Sequence, residues 1–188
     1  LDRHPEVEAL CLEEIQSHET LSSPIDLPYC NAVVMETLRL YPPAFLTSRH
    51  LQQPLELSGG FTAPKGCVAL LPIWHLHRVE SAWPQPEDFR PDRWVKRDDN
   101  KCWVERGESD NKSGTIAPAV RNAFFAFSAG ARSCPGESFA LQESVIVLAG
   151  LLKEFKFRVI PGYELQPHRF GIVQHPKYGM PMKVELRQ

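Results

Sequence analysis

The stretch FSAGARSCPG (127–136) runs directly into ESFALQESVIVLAGLLKEF (137–155). The first is a turn marked by Gly130, Gly136 and Pro135, and the second holds the most regular apolar pattern in the chain. Leu141, Val145, Leu148, Leu152 and Phe155 recur at intervals of four, three, four and three. This spacing predicts an amphipathic helix over about 137–155 with one buried stripe. Pro135 suits the first position of that helix, where its missing N–H costs nothing. Any fold of this chain therefore has to hold Cys134 at the head of a long helix packed on a core.

The remainder supplies two helical segments ahead of that unit. HPEVEALCLEEIQSH (4–18) has helical character, with Pro5 in the first turn, and SSPIDLP (22–28) reads as a connecting loop. YCNAVVMETLRLY (29–41) predicts a helix stopped by Pro42-Pro43. LELSGGFTAPKGCVALLPIW (55–74) reads as short strands with glycine and proline turns, CVALLPI being a buried strand ended by Pro72. HRVESAWPQPEDFRPDRW (77–94) is proline-rich, compact and irregular, and about 95–120 reads as an exposed polar insertion. The tail from Lys156 holds strands, MKVELR (182–187) alternating apolar and polar. The fold class is mainly α with small β-sheets, an α+β arrangement without alternating βαβ units.

Composition narrows the partners. A formal charge of -2 over 188 residues argues against nucleic acid as the main partner. The longest apolar run, VIVLAGLL (145–152), falls well short of the roughly 20 residues a membrane span needs, so no membrane segment is expected in this chain. The chain opens on Leu1 rather than Met, which suggests a fragment of a longer protein. Its five cysteines are odd in number and form no CxxC, so they indicate neither a disulfide framework nor a cysteine zinc site.

The cysteine loop has the chemistry of a thiolate held against a flat ligand. At a helix N-terminus the free N–H groups and the dipole favour Cys134 as thiolate. Gly130 permits a turn with positive φ. Gly136 removes a side chain where a bulky group approaches the backbone. Arg132 suits an anionic edge of the same ligand, and Phe127 offers a flat apolar surface. One thiolate, an apolar plate and acidic edges fit haem better than zinc, which wants several Cys or His ligands close by.

FxxGxRxCxG, filled by Phe127, Gly130, Arg132, Cys134 and Gly136, resembles the haem-binding signature of the cytochrome P-450 monooxygenases. Two further motifs strengthen the resemblance. In ETLR, Glu36 and Arg39 stand three apart on one helix face, a spacing that elsewhere most often marks a surface ion pair. FRPDRW resembles the segment whose arginine, here Arg93, joins them. The resemblance implies a structural triad of Glu36, Arg39 and Arg93 behind the haem loop. It also implies Arg49 as a haem-propionate partner, and for His77 in LHR a structural role with propionate contact as the alternative.

The resemblance implies haem b (iron protoporphyrin IX) with Cys134 as axial ligand of the iron, and insertion of one oxygen atom of O2 into a lipophilic organic substrate. Substrate contacts would come from PAFLT (43–47) and FGIVQ (170–174). An NADPH-dependent reductase or other electron donor would dock near the cysteine loop. From Arg93 to Arg132 there are eight basic and five acidic residues, a modest excess that suits an acidic partner. The resemblance covers the chain but only the C-terminal part of a family member, beginning after the distal helix; the isolated chain is expected not to turn over. The parent protein is expected on the cytosolic face of the endoplasmic reticulum membrane, anchored by an N-terminal segment outside this chain. The alternatives are a haem-thiolate isomerase or dehydratase, and a truncated, non-catalytic haem-binding fragment.

Overall fold

The computed structural model describes residues 1–18, 26–100, 102–105 and 123–187. Helix α1 is Pro5–Gln16, with Pro5 in the first turn and Glu6 and Glu8 at the positive end of the helix dipole. Val7, Cys11 and Ile15, each four residues on from the last, form its buried stripe. Helix α2, Pro28–Leu40, ends at Tyr41, immediately before Pro42-Pro43. A third helix is the short α3, Ile73–Leu76. Helix α4, Glu137–Glu154, buries Val145, Ala149 and Leu152, and Phe155 already belongs to the next strand.

One core joins these elements. The stripe of α1 meets Tyr29, Cys30 and Val33 of α2 and Val145, Ala149 and Leu152 of α4. Leu27, which precedes α2, has no side chain able to cap it. Glu14 of α1 does so instead: its carboxylate accepts the main-chain N–H of Tyr29 at 2.7 Å and of Cys30 at 2.9 Å. Burial pushes the Glu14 carboxyl above the ordinary carboxylate range, and these two N–H groups pull it back.

The strands form five antiparallel pairs among the described residues. β1 (Thr47–His50) pairs with β4 (Val68–Leu71), and β2 (Leu55–Glu56) with β3 (Thr62–Ala63). β5 (Val95–Arg97) pairs with β6 (Trp103–Glu105). β7 (Phe155–Val159) pairs with β10 (Met182–Leu186), and β8 (Pro167–Phe170) with β9 (Val173–Pro176). No helix among the described residues is long and apolar enough to cross a membrane.

Two sequence readings are corrected. The segment CVALLPI is not a buried strand: among the described residues β4 pairs only with β1, and its Val68 and Leu70 are exposed. An insertion beginning at 95 is also displaced. Val95 is fully buried in the main core and Val95–Arg97 is laddered to Trp103–Glu105. The rest of the proposed insertion, residues 101 and 106–120, lies outside the described residues.

Glu14→Ala removes the carboxylate that accepts the Tyr29 and Cys30 N–H groups at the start of α2. We expect it to lower stability to urea by about 1–2 kcal/mol, with Glu14→Gln recovering part of the loss through its remaining carbonyl.

Candidate functional site

The base of the site is a buried ion network. Glu36 and Arg39 lie one turn apart on α2 and are fully buried, and Arg93 comes from the 3₁₀ turn Pro91–Arg93 with 1% exposure. Arg39 grips the Glu36 carboxylate with Nε at 2.9 Å and Nη2 at 2.8 Å. Arg93 Nε adds a third bond at 3.1 Å. The Arg90 main-chain N–H and the Trp94 indole N–H, each at 3.0 Å, complete the set. Arg39 then spends its other N–H groups on carbonyls, those of His77 (2.9 Å), Pro86 (2.7 Å) and Asp88 (3.0 Å). Arg93 Nη2 donates to the carbonyl of Gln85 at 2.7 Å. Burial draws the Arg93 guanidinium below its ordinary pKa, with the Glu36 charge opposing that shift.

His77 connects this network to the cysteine loop. Its Nδ1 lies 2.9 Å from the carbonyl oxygen of Arg39, so Nδ1 carries the proton. Nε2 accepts the main-chain N–H of Phe125 at 2.8 Å. The ring stacks on Phe124 with an interplanar angle of 6°. Phe124 meets Trp94 edge-on, and Trp94 packs on Trp83. Burial pulls the His77 pKa from its ordinary 6.5 to about 4, helped by the positive charges of Arg39 and Arg78 and opposed by the bond to the Arg39 carbonyl. Both ring nitrogens are thus taken by main-chain groups. This arrangement is structural and leaves no ring nitrogen for a propionate.

The loop itself begins two residues beyond Phe125. Ser128 and Gly130 both have positive φ, 64° and 72°. Glycine adopts this conformation freely, whereas at Ser128 it carries strain. Ser128 Oγ accepts a hydrogen bond from Arg49 Nη2 at 2.8 Å, so Arg49 on β1 reaches the loop. The 3₁₀ turn Gly130–Arg132 follows, and the N–H of Cys134 donates to the carbonyl of Phe127 at 2.8 Å, closing the loop on itself. Cys134 and Arg132 are exposed and Phe127 is half-buried. The structure moves the helix start: Gly136 is the N-cap of α4, so Pro135 lies in the turn before the helix, not at its first position. A Cβ added at Gly136 would meet the Cys134 sulfur at an ordinary 3.9 Å.

The segments 43–47 and 170–174 come together. Phe45 N–H donates to the Ile172 carbonyl at 3.2 Å and Gln174 N–H to the Pro43 carbonyl at 2.8 Å. Gln174 Nε2 adds a bond to the Pro42 carbonyl at 2.7 Å. Phe170 and Ile172, at the tip of this hairpin, are exposed. Sequence reasoning passed over Ser128 and the aromatic layer of Trp83, Trp94 and Phe124. The tryptophan at the end of FRPDRW was the one local signal for that layer.

Two experiments probe the buried base. Arg39→Ala leaves a buried carboxylate short of two partners and three carbonyls short of one. It should cost about 3–5 kcal/mol in urea unfolding, and Arg39→Lys should not rescue it because an ammonium lacks the planar fork. The unfolded chain binds a proton at His77 near pH 6.5 and the folded chain only near 4. The native state is therefore fully favoured above pH 6.5 and loses roughly 3 kcal/mol as pH falls from there through 4. Urea titrations across that window should show the slope, and His77→Gln should flatten it.

A family model described as Cytochrome P-450 matches residues 1–181. A dog cytochrome P-450 of the 3A type is 33% identical over 195 residues, covering 100% of this chain and 35% of the relative. Human cytochrome P-450 4F2 is 31% identical, covering 98% of the chain and 34% of the relative. Mouse leukotriene-B4 omega-hydroxylase 3 is likewise 31% identical, with 98% and 33% covered. The chain thus spans about a third of the length of the curated relatives it matches. With a match that runs through α1, the ion network, the cysteine loop and the hairpin β8–β9, this chain belongs to the cytochrome P-450 family.

Proposed function

We propose that this chain is the C-terminal, haem-thiolate part of a monooxygenase, with Cys134 as the axial ligand of the iron of haem b. The observation that carries the reading is one exposed thiol on a loop braced from two sides. Arg49 holds Ser128, and His77 ties Phe125 to the buried Glu36–Arg39–Arg93 network. The donor set fits the group. Among the described residues no three His, Cys, Asp or Glu side chains cluster for a metal. A lone thiolate suits a metal that brings most of its ligands in a prosthetic group.

When bound, haem supplies the activation of O2 and the insertion of one oxygen atom into an organic substrate. The chain's own residues position and insulate. Cys134 would hold the iron through its sulfur. Phe127, Gly130 and Gly136 shape the loop so that a flat ring can lie against it. Arg132, exposed and without a hydrogen bond or ion pair to the described residues, is placed to meet an anionic edge, as is Arg49 beside Ser128. The triad and the neutral His77 hold the loop's base rigid and take no part in proton movement.

Substrate, in this reading, is small and lipophilic. The supporting feature is the union of 43–47 with the hairpin tip, which offers Phe45, Phe170 and Ile172. Electrons come from an NADPH-dependent reductase or another donor that docks beside the exposed Arg132. In this reading the parent protein lies on the cytosolic face of the endoplasmic reticulum membrane.

The test is the carbon monoxide spectrum of the purified chain after haem addition and reduction, beside Cys134→Ser. A strongly red-shifted Soret band, lost in the variant, is the expected result. Haem uptake with the same spectrum in both proteins would overturn the ligand assignment, and no uptake would overturn haem binding by this chain.

A further inference from the structure

Hairpin β8–β9 sets two histidines face to face. His168 on β8 is the register partner of His175 on β9, and both are exposed. The next pair along the ladder, Arg169 and Gln174, turns the other way. Gln174 is buried on the Pro42 carbonyl, and the Arg169 guanidinium lies 5.1 Å from the Phe45 ring centroid. Strand alternation therefore sends both imidazoles to the open face of the hairpin.

The spacing of the two rings is that of a shared cation. Their centroids are 5.2 Å apart with planes at 60°. A tetrahedral metal sits about 2.0–2.1 Å from each ligating nitrogen, and each ring centre lies about 1.1 Å further out, which sets the centroids about 5 Å apart. His175 is also prepared as a ligand. Its Nδ1 lies 3.0 Å from the Pro176 carbonyl oxygen. A carbonyl only accepts, so Nδ1 carries the proton and Nε2 presents its lone pair. A backbone acceptor on the far nitrogen is the arrangement that fixes tautomer and ring orientation in histidine metal ligands.

We propose that His168 and His175 form a two-histidine binding site for a divalent transition cation of the zinc class. No third His, Cys, Asp or Glu joins them among the described residues, so water or an external ligand completes the coordination. Such a site is open rather than closed. Copper(II) should bind it more tightly than zinc, following the general order for nitrogen donors. The cation would clamp the two strands at the foot of a hairpin whose tip accepts the Phe45 N–H through the Ile172 carbonyl. The site is independent of the cysteine loop and stands whether or not haem binds.

Zn2+ is the probe. The thiols are alkylated first, because Cys67, Cys102 and Cys134 are exposed and would compete. Binding is followed by calorimetry and by long-range 1H–15N spectra of the imidazoles. The expected result is that the Nε2 resonance of His175 and one ring nitrogen of His168 respond together at one Zn2+ per chain. His168→Ala and His175→Ala should each weaken that binding at least tenfold, while His75→Ala should leave it unchanged. Wild-type affinity in either hairpin variant, or two rings responding at separate stoichiometries, overturns the proposal. Should an alanine variant fail to fold, the joint response of the unsubstituted rings decides the matter.

Discussion

A single buried carboxylate organises this structure. Glu36 accepts five N–H groups: two from Arg39 and one each from Arg93, the Arg90 main chain and the Trp94 indole. That saturates an ionised carboxylate, which offers about four lone-pair sites. Two guanidiniums against one carboxylate leave an excess positive charge in a dry interior. Four carbonyls, from Gln85, Pro86, Asp88 and His77, turn their oxygens towards it. A network of this kind is a poor source of net stability, because desolvation offsets much of the attraction. Its strength lies in intolerance, since each group that fails to reach its partner leaves a charge or a carbonyl unanswered.

That intolerance is passed outward. His77 takes the Arg39 carbonyl on one nitrogen and the Phe125 N–H on the other, so the position of α2 sets the position of the chain entering the cysteine loop. The link works only with a neutral ring, and burial among positive charges keeps it neutral. Arg49 reaches Ser128 from a different element, β1, and gives the loop a second support. The exposed thiol at the end of this chain of contacts owes its position to groups it never touches.

The elements legible in the sequence were those set by local period or by punctuation. Helix α4 showed in its apolar stripe, and α2 in its proline stop at Pro42-Pro43. Glu36 and Arg39 share a helix face by their spacing alone. Arg93, more than fifty residues further on, was reachable only through the resemblance of FRPDRW. What stayed hidden depends on main-chain partners or on long-range pairing. Nothing in LHR states that a histidine will bridge two main-chain groups from α2 and Phe125. Val95 is one apolar residue at the head of a charged stretch, and only its ladder to β6 and its contact with the helical core reveal it as interior. Conversely, the apolar run of β4 reads as buried, yet a two-stranded pair can cover only one edge, and alternate side chains remain in solvent.

The way Arg39 and Arg93 bind the stretch between Gln85 and Asp88 bears on how this protein can change over time. The guanidiniums meet carbonyl oxygens there, a feature common to every residue type. The route of that stretch is strictly held, while its lettering at Pro86 and Asp88 is read by neither arginine. Related chains can therefore drift at those positions without disturbing the network, keeping a constant path under a changing sequence. Sequence divergence in this irregular stretch would then be a poor guide to structural divergence, because the part that matters is written in the backbone.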